Sequence, residues 1–253
     1  MNPSLSGVGV LVTRPAGQAS GLMQRLVEAG AKPFSFPALA IFPVDTPALR
    51  QALAALDLFD LALFVSPTAV EQGLAALGRP WPASLAVAGI GSGTARALQR
   101  AGIARVVTPL DGADSEHLLA LPEFRSMTDR CVLIVRGEGG RELIADTLAA
   151  RGAEITHAVC YRRGRPEADP VPLLKALAAA ELQAVTVMSS ETLDHLMALA
   201  GDGGRAALLA LPLFAPHARI AAHARALGFA EAIATAPGDD GLVAGLVEYF
   251  RHV

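Results

Sequence analysis

The feature that most constrains the fold of this chain is an internal repeat. The stretch VLVTRPAGQASGLMQRLVEAGA (10–31) returns as VLIVRGEGGRELIADTLAARGA (132–153), an apolar run ended by arginine and followed by a segment that closes on glycine. Arg14 and Arg136 are 122 positions apart, and so are Gly30 and Gly152. A second block, LALFVSPTAVEQGLAAL (61–77), is echoed by AVTVMSSETLDHLMALA (184–200), with Ser66 and Ser189 separated by 123 positions. A third, LAVAGIGSGTARALQRAG (85–102), is matched more loosely by LPLFAPHARIAAHARALG (211–228). Three blocks in the same order point to a diverged duplication, so two similar structural units are expected.

Each block reads as a short aliphatic run, a turn, and an Ala/Leu-rich segment of helical spacing that ends at glycine. Gly30, Gly102, Gly152 and Gly228 fall where a left-handed cap closes a helix. Strands that alternate with helices predict parallel sheets covered on both faces, hence an α/β fold with right-handed crossovers. In such sheets the functional groups gather at the carboxyl ends of the strands.

At 253 residues the chain fits two domains of modest size. Two extended, proline-studded stretches, PFSFPALAIFPVD (33–45) and EITHAVCYRRGRPE (154–167), follow the first strand-helix unit of each copy. They predict two crossings between domains. The expected division is one domain of residues 1–36 plus 167–253 and another of 38–160, with connectors near 36–45 and 157–166.

With 52% hydrophobic and 18% charged residues, burial can offset the entropy of ordering the chain. A net charge of -3 gives no overall attraction for nucleic acid or for an acidic membrane, so an anionic ligand must be met by local clusters. Cys131 and Cys160 match neither a metal-ligand spacing nor a secreted disulfide framework, and two reduced thiols are expected. The start, MNPSLSGVGVLVTR, lacks a basic region followed by an apolar one, and the longest apolar stretch, AALLALPLFA (206–215), is short and interrupted by proline. These features predict a cytoplasmic protein with neither nucleic acid nor membrane as partner.

The strand ends share a chemical theme of donors with few carboxylates. Arg14 and Arg136 end two runs, Ser66 and the pair Ser189 and Ser190 end two more, and GIGSGT (89–94), with Gly91, Ser92 and Thr94, ends another just before a helix. Donors beside helix N-termini favour a polyanionic ligand. Blander roles stand beside this one: the arginines also read as solvated strand ends, and the serines as helix caps. GIGSGT also reads as a nucleotide loop, but its G-x-G-x-G spacing lacks the acidic residue about 20 positions on that a dinucleotide site uses.

The usual catalytic constellations are missing from the sequence. The six histidines show no metal spacing, and the nearest pair, His217 and His223, would stand about 240° apart around a helix. There is no G-x-S-x-G elbow, P-loop or paired-carboxylate signature. An enzyme built on this inventory would use binding geometry and one weak acid, with no metal. Tyr161, one of two tyrosines and the neighbour of Arg162, Arg163 and Arg165 in HAVCYRRGRP (157–166), is the candidate acid; a packed connector tyrosine is the alternative.

VLVTRPAGQ, FVSPTAVE, GSGTARALQRAG, LIVRGEGGRELIADTLAARGAEI, VCYRR and APHARIA, in this order and spacing, resemble uroporphyrinogen-III synthases, above all the bacterial type. The resemblance covers nearly the whole chain, and R-G-x-G-G-R-x-x-L followed by a Cys-Tyr strand is its most specific part. It implies two α/β domains, interleaved in sequence, joined by a short two-stranded connector and flanking an active-site cleft. It also implies a cofactor-free enzyme of haem biosynthesis that acts on hydroxymethylbilane, a linear tetrapyrrole with eight carboxylates, and yields uroporphyrinogen III with loss of water and inversion of ring D. Tyr161 matches the family's active-site tyrosine, Thr94 its threonine after the glycine turn, and Ser66 and Ser189 its strand-end serines. Arg14, Gly91, Ser92, Arg136, Gly137, Gly139, Arg141, Ser190 and His217 complete the expected substrate-binding set. The expected partners are the substrate and the preceding enzyme of the pathway, the expected state a monomer. Ile220, and APHARIA in place of a glycine turn, depart from some members and break the symmetry of the third block.

The implied chemistry suits the sparse inventory. The pyrrole nitrogen expels the hydroxyl of the hydroxymethyl group, so the enzyme need only protonate the departing oxygen. The resulting azafulvene is attacked by the substituted carbon of ring D, giving a spiro intermediate that fragments and recloses inverted. Phenols titrate at about pH 10, so a tyrosine carries its proton at neutral pH, and general acid catalysis contributes roughly 10² to 10⁴-fold. The alternative function is a non-catalytic tetrapyrrole-binding or sensor module of the same fold.

Overall fold

A computed structural model describes residues 5–112, 114–140 and 142–251. The chain begins with β1 (Gly9–Val12), α1 (Ser20–Glu28) and β2 (Lys32–Ser35), then passes through β3 (Ala40–Pro43). Next come α2 (Pro47–Ala54), β4 (Leu61–Phe64), α3 (Pro67–Leu77), β5 (Ala86–Gly89), α4 (Ser92–Arg100), α5 (Ser115–Ala120), β6 (Cys131–Gly137), α6 (Leu143–Ala150) and the long β7 (Glu154–Gly164). The remainder is α7 (Val171–Ala178), β8 (Ala184–Thr186), α8 (Ser190–Leu209), β9 (Leu213–Ala215), α9 (Ala218–Leu227), β10 (Ala232–Ala234) and α10 (Gly238–Arg251). These elements form two compact units, one of Met1–Ala40 with Gly164–Val253 and the other of Ile41–Arg163.

Each unit is organised around one five-stranded sheet. The first has the order β10-β9-β8-β1-β2, every pair parallel. The second has the order β3-β7-β6-β4-β5, in which β7, β6, β4 and β5 run parallel. Strands covered on both faces must be apolar throughout rather than alternating. In β1, Leu11 packs toward α7, α8 and α9, while Val10 and Val12 pack on the other side with Leu22, Leu242 and Leu246. In β6 the same division sends Leu133 and Val135 to one core and Val132 and Ile134 to the other. Each such fully buried aliphatic side chain stabilises its unit by roughly 2 kcal/mol.

The duplicated blocks occupy equivalent places. β1 lies between β2 and β8, and β6 lies between β7 and β4. The outermost position, taken by β10 in the first unit, is reduced in the second to Val107, which bridges Ala88 of β5. The helix ends follow from local chemistry. Ser66 caps α3, Ser189 caps α8 and His217 caps α9 through their side chains, and Gly228 closes α9 with φ 105°. Among the described residues, no helix is long and apolar enough to cross a membrane.

Candidate functional site

In the second unit the carboxyl ends of β4, β5, β6 and β7 lie along one edge, because the strands are parallel. A cavity of about 270 Å³ lies there, lined by Ser66, Arg136, Gly137, Gly139, Tyr161 and Arg163, with Val65, Ile90 and Ile144 as its apolar wall. Gly91, Ser92 and Thr94 stand at the start of α4 in the same unit but do not line it. Arg14, Ser189, Ser190 and His217 follow the carboxyl ends of β1, β8 and β9 in the first unit. Arg141 lies outside the described residues.

Tyr161 owes its place to a fault in the β-ladder. β6 and β7 stay in register until Arg136 faces Val159; then Gly137 faces Tyr161, so Cys160 is an extra residue. Strict alternation would put Tyr161 on the side opposite Ala158 and Cys160. The bulge turns it back, and all three join the same core. The ring is 7% exposed and rests on the bare backbone of Gly137, where an added Cβ would lie 2.5 Å from the carbon that carries the hydroxyl. Cys160, buried beneath it, has its thiol pushed up to about 11 by desolvation.

The phenol oxygen lies 3.2 Å from Ser66 Oγ, which also accepts the Ala69 N–H of the first turn of α3 at 3.0 Å. A hydroxyl that accepts from the helix still has a proton to donate. Ser66 can donate it to the tyrosine oxygen, which leaves the phenol O–H directed elsewhere. The same serine ties the phenol to the positive end of α3, where developing negative charge is favoured.

The two repeat-related arginines are drawn into the protein. Arg136, 7% exposed, donates to Glu142 Oε2 at 2.9 Å and to the Gly139 carbonyl at 2.5 Å, and its Nη1 lies 3.3 Å from His157 Nδ1. It therefore clamps the loop in which Gly139 and Gly140 adopt φ of 70° and 99°. The hydrogen bond from Arg136 holds Glu142 below the usual carboxylate range. Arg14 pairs with Asp239 of α10 at 2.5 Å and donates to Met188 Sδ at 3.3 Å. Thr94 is also enclosed, its methyl side packed against Gly89. Ser189, like Ser66, caps its helix and in addition lies 2.8 Å from Thr192 Oγ1.

The three arginines after Tyr161 part company. Arg162 stacks over Phe42 of β3, its guanidinium carbon 4.3 Å from the ring centre, and Arg165 is exposed beyond the strand. Arg163 lines the cavity together with Ser115, Glu138 and Gly140, none of which had been singled out as site residues from the sequence. For Arg163 the spacing of two from Tyr161 was a usable signal; for Glu142 and Asp239, the carboxylates that hold Arg136 and Arg14, the sequence offered none. Among the described residues, no three His, Cys, Asp or Glu side chains gather as a metal ion requires.

A family model described as Uroporphyrinogen-III synthase HemD matches residues 20–244. The chain is 37% identical over 227 residues to the uroporphyrinogen-III synthase of Escherichia coli, covering 88% of this chain and 92% of that one. It is 35% identical, with the same coverage, to the synthase of Salmonella typhimurium. Among solved structures it is similar to a uroporphyrinogen-III synthetase of Helicobacter pylori, with TM-score 0.63 and 13% identity over 96% of this chain and 99% of that one. A uroporphyrinogen III synthase mutant from Thermus thermophilus gives TM-score 0.58 and 22% identity over 97% and 100% of the two chains. The structural likenesses carry the fold; the sequence matches carry the kinship, and by them this chain belongs to the uroporphyrinogen-III synthase family.

Proposed function

We propose that the chain converts hydroxymethylbilane into uroporphyrinogen III, closing the macrocycle with loss of water and inversion of ring D, and that Tyr161 donates the proton that the departing hydroxyl needs. The observation that carries this reading is a phenol at the wall of a cavity, 3.2 Å from a helix-capping serine, in a member of the synthase family. The cavity is smaller than the pockets of about 300 to 1,000 Å³ that enclose drug-sized ligands, so it suits one end of a tetrapyrrole rather than the whole.

In the proposed step the C–O bond breaks as Tyr161 passes its proton to the leaving oxygen, and water departs with the electron pair. The pyrrole nitrogen, keeping its proton, supplies the compensating electrons and leaves an azafulvenium cation. Ser66, donating to the phenolate, and the N-terminus of α3 stabilise the charge left on Tyr161. The proton released when the macrocycle closes returns to it. Holding the bilane so that ring D presents its substituted carbon is the larger task, since orientation decides which isomer forms. We assign that task to Ser66, Gly91, Ser92, Thr94, Gly137, Gly139, Arg141, Ser189, Ser190 and His217, with Arg14 and Arg136 acting through the segments they hold.

The reading includes a monomeric cytoplasmic enzyme supplied by the enzyme that makes the bilane. The test is to generate hydroxymethylbilane in the presence of the protein, oxidise the product and separate the isomers. Isomer III in excess is expected. Isomer I alone would leave a tetrapyrrole-binding module and remove the synthase assignment.

A further inference from the structure

We infer that His157 is a positioning residue for the proposed reaction: the lone pair on its Nδ1 fixes the guanidinium of Arg136, and through Arg136 the glycine loop that lines the cavity. The inference rests on the synthase reading for the identity of the ligand. In β7, Ile155 packs with Val132 and Ile134 of β6; alternation puts His157 on that same face, and the register sets it beside Ile134. Arg136 follows Ile134 by two residues, so its side chain rises from the same face, and its Nη1 comes 3.3 Å from His157 Nδ1. A guanidinium can only donate. The contact is therefore a hydrogen bond only while the ring is neutral and carries its proton on Nε2.

Arg136 is 7% exposed, and a buried guanidinium needs acceptors around it. Glu142 meets it with a half-exposed side chain from beyond the loop, and the Gly139 carbonyl belongs to the loop itself. His157 belongs to the sheet, so it is the rigid support against which Arg136 holds the loop. Gly139 and Gly140 of that loop line the cavity with positive φ, a backbone form in which main-chain N–H groups can meet a carboxylate. Without the imidazole, the guanidinium can follow Glu142 outward and the two glycines lose their fixed places. Gly137, beneath the phenol, stays in the β-ladder, so the loss falls on binding rather than on proton transfer.

His157→Leu removes the acceptor and should raise KM for hydroxymethylbilane about tenfold, the worth of one hydrogen bond to a charged group, with kcat within about threefold. His157→Asn, whose Oδ1 can stand where Nδ1 stands, should return KM to within about twofold of the parent. A long-range proton–nitrogen correlation spectrum of the parent at neutral pH, with the His157 signals identified by their loss in His157→Asn, should show Nδ1 bare and Nε2 protonated. Parental KM in His157→Leu, equal losses in His157→Leu and His157→Asn, a fall in kcat with KM unchanged, or a proton on Nδ1 in the parent would overturn the inference. If the unaltered chain makes only isomer I, the synthase reading fails instead. The anaerobic affinity of both variants for uroporphyrinogen III, measured by ultrafiltration, then decides the role of His157: about a tenfold loss in His157→Leu that His157→Asn restores supports it, and equal affinities overturn it.

Discussion

A single methyl group placed at Gly137 tests how the phenol is positioned. Gly137 does not lie in the left-handed region, so alanine meets no backbone strain there. What it meets is the ring of Tyr161: the new Cβ would stand 2.5 Å from Cζ, about 0.9 Å short of the 3.4 Å at which ordinary contact begins. The ring is buried and cannot tilt freely, so the hydroxyl moves with it, away from its 3.2 Å approach to Ser66. Displacements of about 1 Å at reacting groups cost roughly 100-fold in rate, and overpacking a well-filled site costs about 1 to 3 kcal/mol of stability. Gly137→Ala should therefore remain folded at 25 °C, melt several degrees lower, and lose about 100-fold in kcat for isomer III. The assay is initial-rate formation of uroporphyrinogen III from bilane generated in situ, beside thermal melting by circular dichroism. The double variant with Tyr161→Phe should be no slower than Tyr161→Phe alone, because both changes act on one hydroxyl. Turnover within about threefold of the parent, or losses that multiply in the double variant, would refute this account of placement.

Tyr161→Phe keeps the ring on Gly137 and in the core, so melting should barely change while kcat falls roughly 10² to 10⁴-fold; near-parental turnover would move the proton donor to water or to the substrate. Glu142 is held below its ordinary value of 4.5 by the Arg136 hydrogen bond, so its contribution is present above that pH and fades as pH falls through the lower folded value. The melting temperature of the parent should exceed that of Glu142→Gln by about 2 °C or less at neutral pH and converge with it in acid, and a gap that stays constant to about pH 3 would contradict the pairing. Cys160, with its thiol near 11 and 1% exposed, should resist iodoacetamide until the protein unfolds, while half-exposed Cys131 labels first; prompt native labelling in Cys131→Ser would show that the bulge opens.

The architecture was legible where the chain repeats a local rule. Apolar runs followed by helices that end at glycine gave parallel sheets, and Gly30, Gly102, Gly152 and Gly228 do take positive φ. The strand-end serines were legible for the same reason, since a side chain that caps a helix must stand beside the strand that precedes it. What the sequence hid depends on contacts that periodicity does not encode. One added residue in β7 reverses the direction of Tyr161, and nothing in VCYRR marks Cys160 as the supernumerary one. The carboxylate partners of the two arginines were likewise invisible: Asp239 lies 225 positions from Arg14, and Glu142 sits across a loop whose shape two glycines decide. The third block diverged where its packing did, for the second unit has only Val107 where the first has β10.

The interleaving of the units has a consequence for the order in which the chain acquires structure during synthesis. Ile41–Arg163 is continuous, so every strand of its parallel core is available once Arg163 has emerged from the ribosome. β1 is made first and its neighbour β2 soon after, but its other partner β8 begins at Ala184, so the sheet around the earliest strand stays incomplete until the later half of the chain. Domains fold as units while synthesis proceeds. Nascent chains arrested just after Arg163 emerges should protect 41–163 from protease while the segment around Val10 is still cleaved, and early protection at Val10 would show that the first unit borrows structure from elsewhere. The copy encoded in the middle of the chain is thus completed first, while the N-terminal pair of β1 and β2 remains an unfinished fragment until β8, β9 and β10 are made.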